Sequence, residues 1–136
     1  MAFHVYDVPL PAKASTNYIA GTVVGIDSIA ANNLPVPVVG APAGLVPLGV
    51  IVENTDYTLG QTPVVRQIGM IDCIAAGAID PSTQPLLTWD ASGHVTPVGS
   101  TSSTLYPVIG IAQEKCTTAG DLVRVLVAPQ TYTTHA

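Results

Sequence analysis

Charge is scarce in this sequence. Asp, Glu, Lys and Arg make up 10% of its 136 residues, against about 25% in an ordinary soluble domain. Only Lys13, Arg66, Lys115 and Arg124 are basic. They are scattered along the chain, and the formal net charge is −5. A nucleic-acid binder needs clustered Lys and Arg to displace counterions from phosphates, so that class is excluded. A phosphate-rich membrane surface is disfavoured for the same reason. Aromatic residues stand at 5%, a thin supply for a sugar-stacking platform. There are two cysteines, Cys73 and Cys116, with no CxxC and no metal-ligand spacing. They read as small buried hydrophobes in a reducing compartment rather than as a bridge. An export signal is not expected, because the N-terminus has no basic stretch and Pro9 and Pro11 interrupt its apolar run.

Helix signals are scarce as well. One uncharged stretch, from Ser28 to Val52, is apolar enough to imitate a membrane span. It contains Pro35, Pro37, Pro42 and Pro47, and each costs about 3 kcal/mol inside a helix. The stretch is therefore expected to be extended and loop-like, lying against protein. One turn or more of helix is permitted at Asp27–Asn32.

What the chain has instead is 48% apolar residues, with twelve Gly and twelve Pro spread throughout. Short β-branched runs between turn residues predict strands, and their even spacing predicts a barrel or sandwich. The expected strands are Gly21–Ile26, a Pro-flanked edge at Val36–Val39, Leu48–Glu53, Thr62–Ile68, and Met70–Ala75 across Gly69. Leu86–Trp89 and His94–Val98 form a hairpin around Asp90-Ala91-Ser92-Gly93. Val108–Gln113 follows, and Leu122–Val127 is expected as a central strand buried on both faces. The fold class is mostly β: a compact small β-barrel or sandwich-like domain of short strands, with an extended N-terminal arm and at most one or two short helices. The domain spans 18–128, between an arm at 1–17 and a tail at 129–136. Residues 1–17 read equally as an ordinary first strand or frayed terminus, or as a segment that orders only on a partner by strand addition.

An internal echo is present. Gly49-Val-Ile-Val-Glu53 runs on to Gly60, and Gly110-Ile-Ala-Gln-Glu114 runs on to Gly120. Each is followed by a β run with one Arg. This is one strand–turn–strand device used twice, not a solenoid repeat.

Candidate chemistry is thin. No nucleophile elbow and no phosphate-binding loop occurs. His4 and His135 lie in the terminal stretches, and His94 follows the hairpin turn, where it is expected in solvent. The Glu53-Asn54-Thr55-Asp56 stretch is explained by an Asx-type turn without a metal, and an Asp72–Asp80 pairing is too sparse for one. Trp89 is expected to fill a core or an interface. No catalytic residue, metal or cofactor is assigned. A chain this poor in surface charge is expected to lie against protein, its own copies included.

The pattern Pro107-Val-Ile-Gly-Ile-Ala-Gln-Glu114, then Gly120-Asp-Leu-Val-Arg-Val-Leu-Val127, resembles the head decoration, or capsid cement, proteins of tailed bacteriophages. Leu48-Gly-Val-Ile-Val-Glu53 with Gly60 resembles an earlier copy of the same device, and the hairpin Trp89–Val98 is similar to hairpins of that family. The resemblance covers about residues 18–128 and rests on Gly and apolar positions. It implies a virion protein that sits as a homotrimer on the outer surface of an expanded capsid. There it would bind the major capsid protein and stabilise the shell against internal genome pressure. It also implies a capsid-binding arm that pairs with a capsid strand, for which Phe3, His4, Val5, Tyr6 and Val8 are the candidates. The resemblance brings in no nucleic acid and no membrane. The alternatives are another virion β module (tail-tube, spike-base or receptor-binding domain) and a small carbohydrate-binding module.

Overall fold

The computed structural model describes residues 5–40, 47–99 and 105–133. Nine strands follow one another: β1 (Tyr6–Pro9), β2 (Val23–Ile29), β3 (Pro35–Val39), β4 (Gly49–Ile51), β5 (Val64–Ile74), β6 (Leu86–Trp89), β7 (Val95–Pro97), β8 (Leu105–Ala112) and β9 (Leu122–Thr133). The one helical segment among the described residues is a single 3-10 turn, Tyr57–Leu59. The strands form one antiparallel sheet in the order β3-β2-β4-β5-β9-β8-β6-β7, with β1 added against β5. The sheet curls into a half-barrel. A parallel bridge between Ala75 and Val95 brings the end of β5 to β7. The mostly β fold expected from composition is what forms.

Proline explains the sheet's ends. β3 and β7 terminate the strand order, and they carry Pro35, Pro37 and Pro97. A residue without an N–H cannot donate to a second neighbour, so such strands belong at edges. No helix among the described residues is long and apolar enough to cross a membrane.

Four local expectations need correcting. Thr62–Ile68 and Met70–Ala75 are one continuous strand, β5; Gly69 (φ 124°) sits inside it, where the partner changes from β1 and β4 to β9. The turn of helix at Asp27–Asn32 does not form, because β2 runs on through Ile29 and then reverses about Asn33, whose φ is 66°. Val23, Val24, Ile26 and Ile29 favour the pleated conformation over the helix. Leu48–Glu53 contributes only the three residues of β4. Leu122–Val127 is central as expected, but it alternates: Val123, Val125 and Val127 are fully buried while Leu122 is 61% exposed. One face of a curled sheet looks outward, and side chains along a strand point to alternate faces. β1 lies within the stretch read as an arm, and β9 extends to Thr133, into the stretch read as a tail, by pairing with β8.

The echo seen in sequence is part of a larger duplication. β2 pairs with β3 and β4, and β4 with β5; β6 pairs with β7 and β8, and β8 with β9. The registers correspond. Val23 faces Val50 and Val24 faces Gly49, as Leu86 faces Ile111 and Leu87 faces Gly110. Asp7 faces Arg66 as Asp72 faces Arg124. Isolated bridges join Tyr18 to Thr55 and Ile79 to Cys116. The first half is thus β1 to the start of β5, and the second is the rest of β5 to β9.

The cores duplicate too. Leu10, Tyr18, Val24, Leu48, Ile51 and Val65 form one buried cluster. Their register counterparts Ala75, Ile79, Leu87, Ile109, Ala112 and Val123 all lie in the other. That second cluster also takes in Val23 and Val50 from the first half, which ties the halves together.

Candidate interaction surface

The N-terminal strand is built from an alternation that the sequence displays. Tyr6 is 59% exposed, Val8 packs inward on the first-half core, and Leu10, just past the strand, is 2% exposed. β1 pairs with β5 over Tyr6–Ile68, Asp7–Arg66, Val8–Val65 and Pro9–Val64, and the Leu10 N–H donates to the Pro63 carbonyl at 3.0 Å. Arg66 Nε and Nη2 donate to the two Asp7 carboxylate oxygens at 2.8 and 2.9 Å, while Nη1 reaches the Met70 carbonyl. The Arg66 guanidinium holds the Asp7 carboxyl below its ordinary value, and Asp7 in turn raises Arg66. A half-exposed ion pair contributes at most about 1 kcal/mol, whereas burying a Leu side chain contributes about 1.5–3 kcal/mol. Leu10 and Val8 therefore anchor β1 more strongly than the ion pair does.

Of the candidate arm residues, Val5 and Tyr6 are exposed, and Tyr6 faces exposed Ile68. Val8 is half-buried and turned to the core. Phe3 and His4 lie outside the described residues. Among the described residues β1 pairs with no strand but β5, so its other edge offers free backbone groups to an incoming strand. The sequence did not show Ile68 as part of this patch, since only the β1–β5 register brings it to Tyr6.

Among the described residues each Lys and Arg side chain has a carboxylate partner. Lys13 pairs with Asp27, Arg66 with Asp7, Lys115 with Asp80 and Arg124 with Asp72, all within 4.0 Å. Asp56 caps the 3-10 turn, accepting from the Thr58 hydroxyl and amide, and Asp80 does the same with Ser82. These bonds hold both carboxyls below the usual range. The Asx-type reading of Asp56 thus stands. Among the described residues no three His, Cys, Asp or Glu side chains converge.

The remaining chemistry-bearing groups are structural. Cys73 and Cys116 are free and buried, and burial pushes the Cys73 thiol up to about 12. Such a thiol is not a nucleophile at neutral pH. The Tyr18 hydroxyl is buried and donates to the Pro37 carbonyl at 2.7 Å, and burial raises its pKa. His94 is half-buried rather than fully solvated. It lines a shallow cleft with Asn17, Ile19, Thr22, Val39 and Ser92, and no carboxylate in that lining orients the imidazole as a catalytic base requires. Trp89 is 7% exposed in the second-half core, as expected, and its Nε1 donates to the Gly40 carbonyl at 2.7 Å.

No family model and no curated protein matches this chain. Among solved structures it is similar to the N base of the head fiber gp8.5 of bacteriophage phi29. The TM-score is 0.61 at 21% identity, and the match covers 92% of this chain and 95% of that one. The two chains share a fold along nearly their whole lengths.

Proposed function

We propose that this chain is a virion structural protein of a bacteriophage that binds the outer surface of an expanded capsid. It acts there as a homotrimer, with the major capsid protein as its partner, and it stabilises the shell against internal genome pressure. The observation that carries this reading is the shared fold, over 92% of the chain, with the base of a phage head fiber. The charge-poor surface and the pairing of every Lys and Arg fit a protein that lies against protein. Trimer avidity would multiply contacts that are individually weak. The proposal assigns no catalytic step and no cofactor.

The capsid contact is placed at the N-terminal strand: Phe3, His4, Val5 and Tyr6 supply side chains, and Val8 holds the strand in place. A capsid strand adds to the free edge of β1 while β1 stays in its own sheet. Deleting the first twelve residues is a poor test, because it removes buried Leu10. The test is co-sedimentation with expanded heads and with unexpanded shells, using the full chain and the Val5→Asp/Tyr6→Asp variant. Wild type is expected to pellet with expanded heads only. The variant is expected to bind at least about tenfold more weakly, which corresponds to about 1.4 kcal/mol. Unchanged affinity in the variant overturns the β1 contact. A second reading, the base of a spike or fiber, is favoured by the neighbour itself, which is a fiber's base. Capture of a fiber or spike segment by the chain selects it.

A further inference from the structure

Inside the chain, the second half is seated on the first through an asymmetric contact, among others. The β6–β7 hairpin supplies the plug. The Gly93 carbonyl accepts from the Val23 N–H at 2.8 Å, and Trp89 Nε1 donates to the Gly40 carbonyl at 2.7 Å. The fit is close: a Cβ on Gly93 would come within 2.8 Å of the Val23 carbonyl and 2.9 Å of the Val39 side chain. Beneath the plug, Val23 and Val50 of the first half are fully buried.

The register counterparts of both sides occur again, each without its mate, although the counterpart hairpin has Ile26 in place of the Trp89 donor and Asn33 in place of Gly93 in its turn. By register, Leu86 and Ile111 correspond to Val23 and Val50, yet both are only half-buried. The Leu86 N–H, counterpart of the Val23 N–H that receives the plug, bonds the side-chain oxygen of Gln84 at 3.2 Å instead. The plug's counterpart is the β2–β3 hairpin. Ile26 stands where Trp89 stands in the other half, since Ile26 faces Pro37 and Trp89 faces Val95. Ile26 is 46% exposed, Ile29 61% and Leu34 40%. A hairpin with three exposed apolar side chains is costly in water unless something covers it.

We infer that two copies of this chain join head to tail, the β2–β3 hairpin of one seating on the Leu86–Ile111 face of the next, as the β6–β7 hairpin seats on Val23 and Val50 within each chain. The occupant is a second copy because the chain already makes a contact of this kind with itself once and carries the apolar register counterparts of both sides uncovered. The two surfaces differ, so the contact is heterologous and closes only if its rotation closes a ring. It thus names the surfaces for the self-association in the function proposed above and rests on that part of it alone.

Light scattering on the full chain, without capsids, tests it. Wild type is expected to exceed the monomer mass. The Ile29→Asp/Leu34→Asp variant alters exposed positions and is expected to associate at least about a hundredfold more weakly, two apolar side chains each losing burial. Leu86→Glu is expected to give a monomer as well. Mixing the two variants restores one good contact and is expected to give a dimer and nothing larger. If Leu86→Glu does not fold, the hairpin variant titrated into wild type is expected to shorten the assemblies, because it accepts a plug but offers none. A monomeric wild type overturns the inference, as does a mixture that stays monomeric or a wild-type assembly that the hairpin variant leaves unchanged. A trimer that survives both sets of substitutions overturns this contact while leaving the trimer itself, and capsid binding is scored separately.

Discussion

Glycine decides the close approaches in this molecule, and three positions separate the reasons for it. Gly110 has no special backbone angle, but a Cβ there would run into the Leu126 carbonyl across the β8–β9 ladder. Gly60 has open space around it and a left-handed φ of 69°. Gly77 has neither constraint. Gly110→Ala forces two strands apart and is expected to cost about 3 kcal/mol, the upper end for overpacking. Gly60→Ala pays only the left-handed penalty of about 1–2 kcal/mol. Gly77→Ala is expected to be neutral or slightly stabilising, through the unfolded chain. Urea midpoints at constant m-value rank the three. A Gly110 variant as stable as the Gly77 variant would mean that β8 and β9 separate at no cost. The sequence marked Gly110 and Gly49 as a repeated pair, and both prove to be sites of close strand contact. It could not rank them against Gly60, because crowding comes from a strand distant in sequence.

At the scale of elements, hairpins and edges were legible and long-range partners were not. Trp89–Val98 was readable because its turn is local: Asp90 Oδ1 accepts from the Ser92 and His94 amides, and Gly93 takes φ 76°. The Pro-marked edge at β3 was readable for the same reason. The joining of two expected strands into β5 was hidden, since Gly69 reads locally as a breaker. The docking of β1 on β5 depends on a partner almost sixty residues away, and residues 1–17 taken alone fit either a strand or a free segment. The β1–β5 clasp carries a pH dependence. Asp7 is held below its ordinary 3.8 by Arg66, so the unfolded chain binds its proton more readily than the folded one. Its contribution is full above the unfolded value and is lost as pH falls through the lower folded value. Asp7→Asn is expected to lower stability by about 0.5–1 kcal/mol at pH 7. Denaturation across pH should show that gap closing in acid, where wild-type Asp7 is protonated, and narrowing in high salt. A gap that persists in acid would assign the effect to packing rather than charge.

For the whole molecule, the question is whether two duplicated halves unfold as one. Each has its own core, and six residues of one cluster map onto six of the other, which would permit separate melting. Three features oppose that. β5 is a single strand that serves both halves. Val23 and Val50 lie in the second-half cluster, so losing the first half would expose part of the second core. Trp89, the chain's one tryptophan, belongs to the second half but bonds Gly40 in the first. Each half is about 65 residues, a size at which a core standing alone is marginal. Val65→Ala removes buried methyls from the first-half core and is expected to cost about 2 kcal/mol. If the halves are coupled, the Trp89 fluorescence transition in the second half shifts by the same amount as the far-UV transition of the whole chain, and the two curves coincide. A Trp89 transition that stays at the wild-type midpoint while the far-UV curve becomes biphasic would show two independently folding halves. The equivalent Val123→Ala distinguishes the remaining case, in which only the first half depends on the second: it would then shift both signals while Val65→Ala shifted only one.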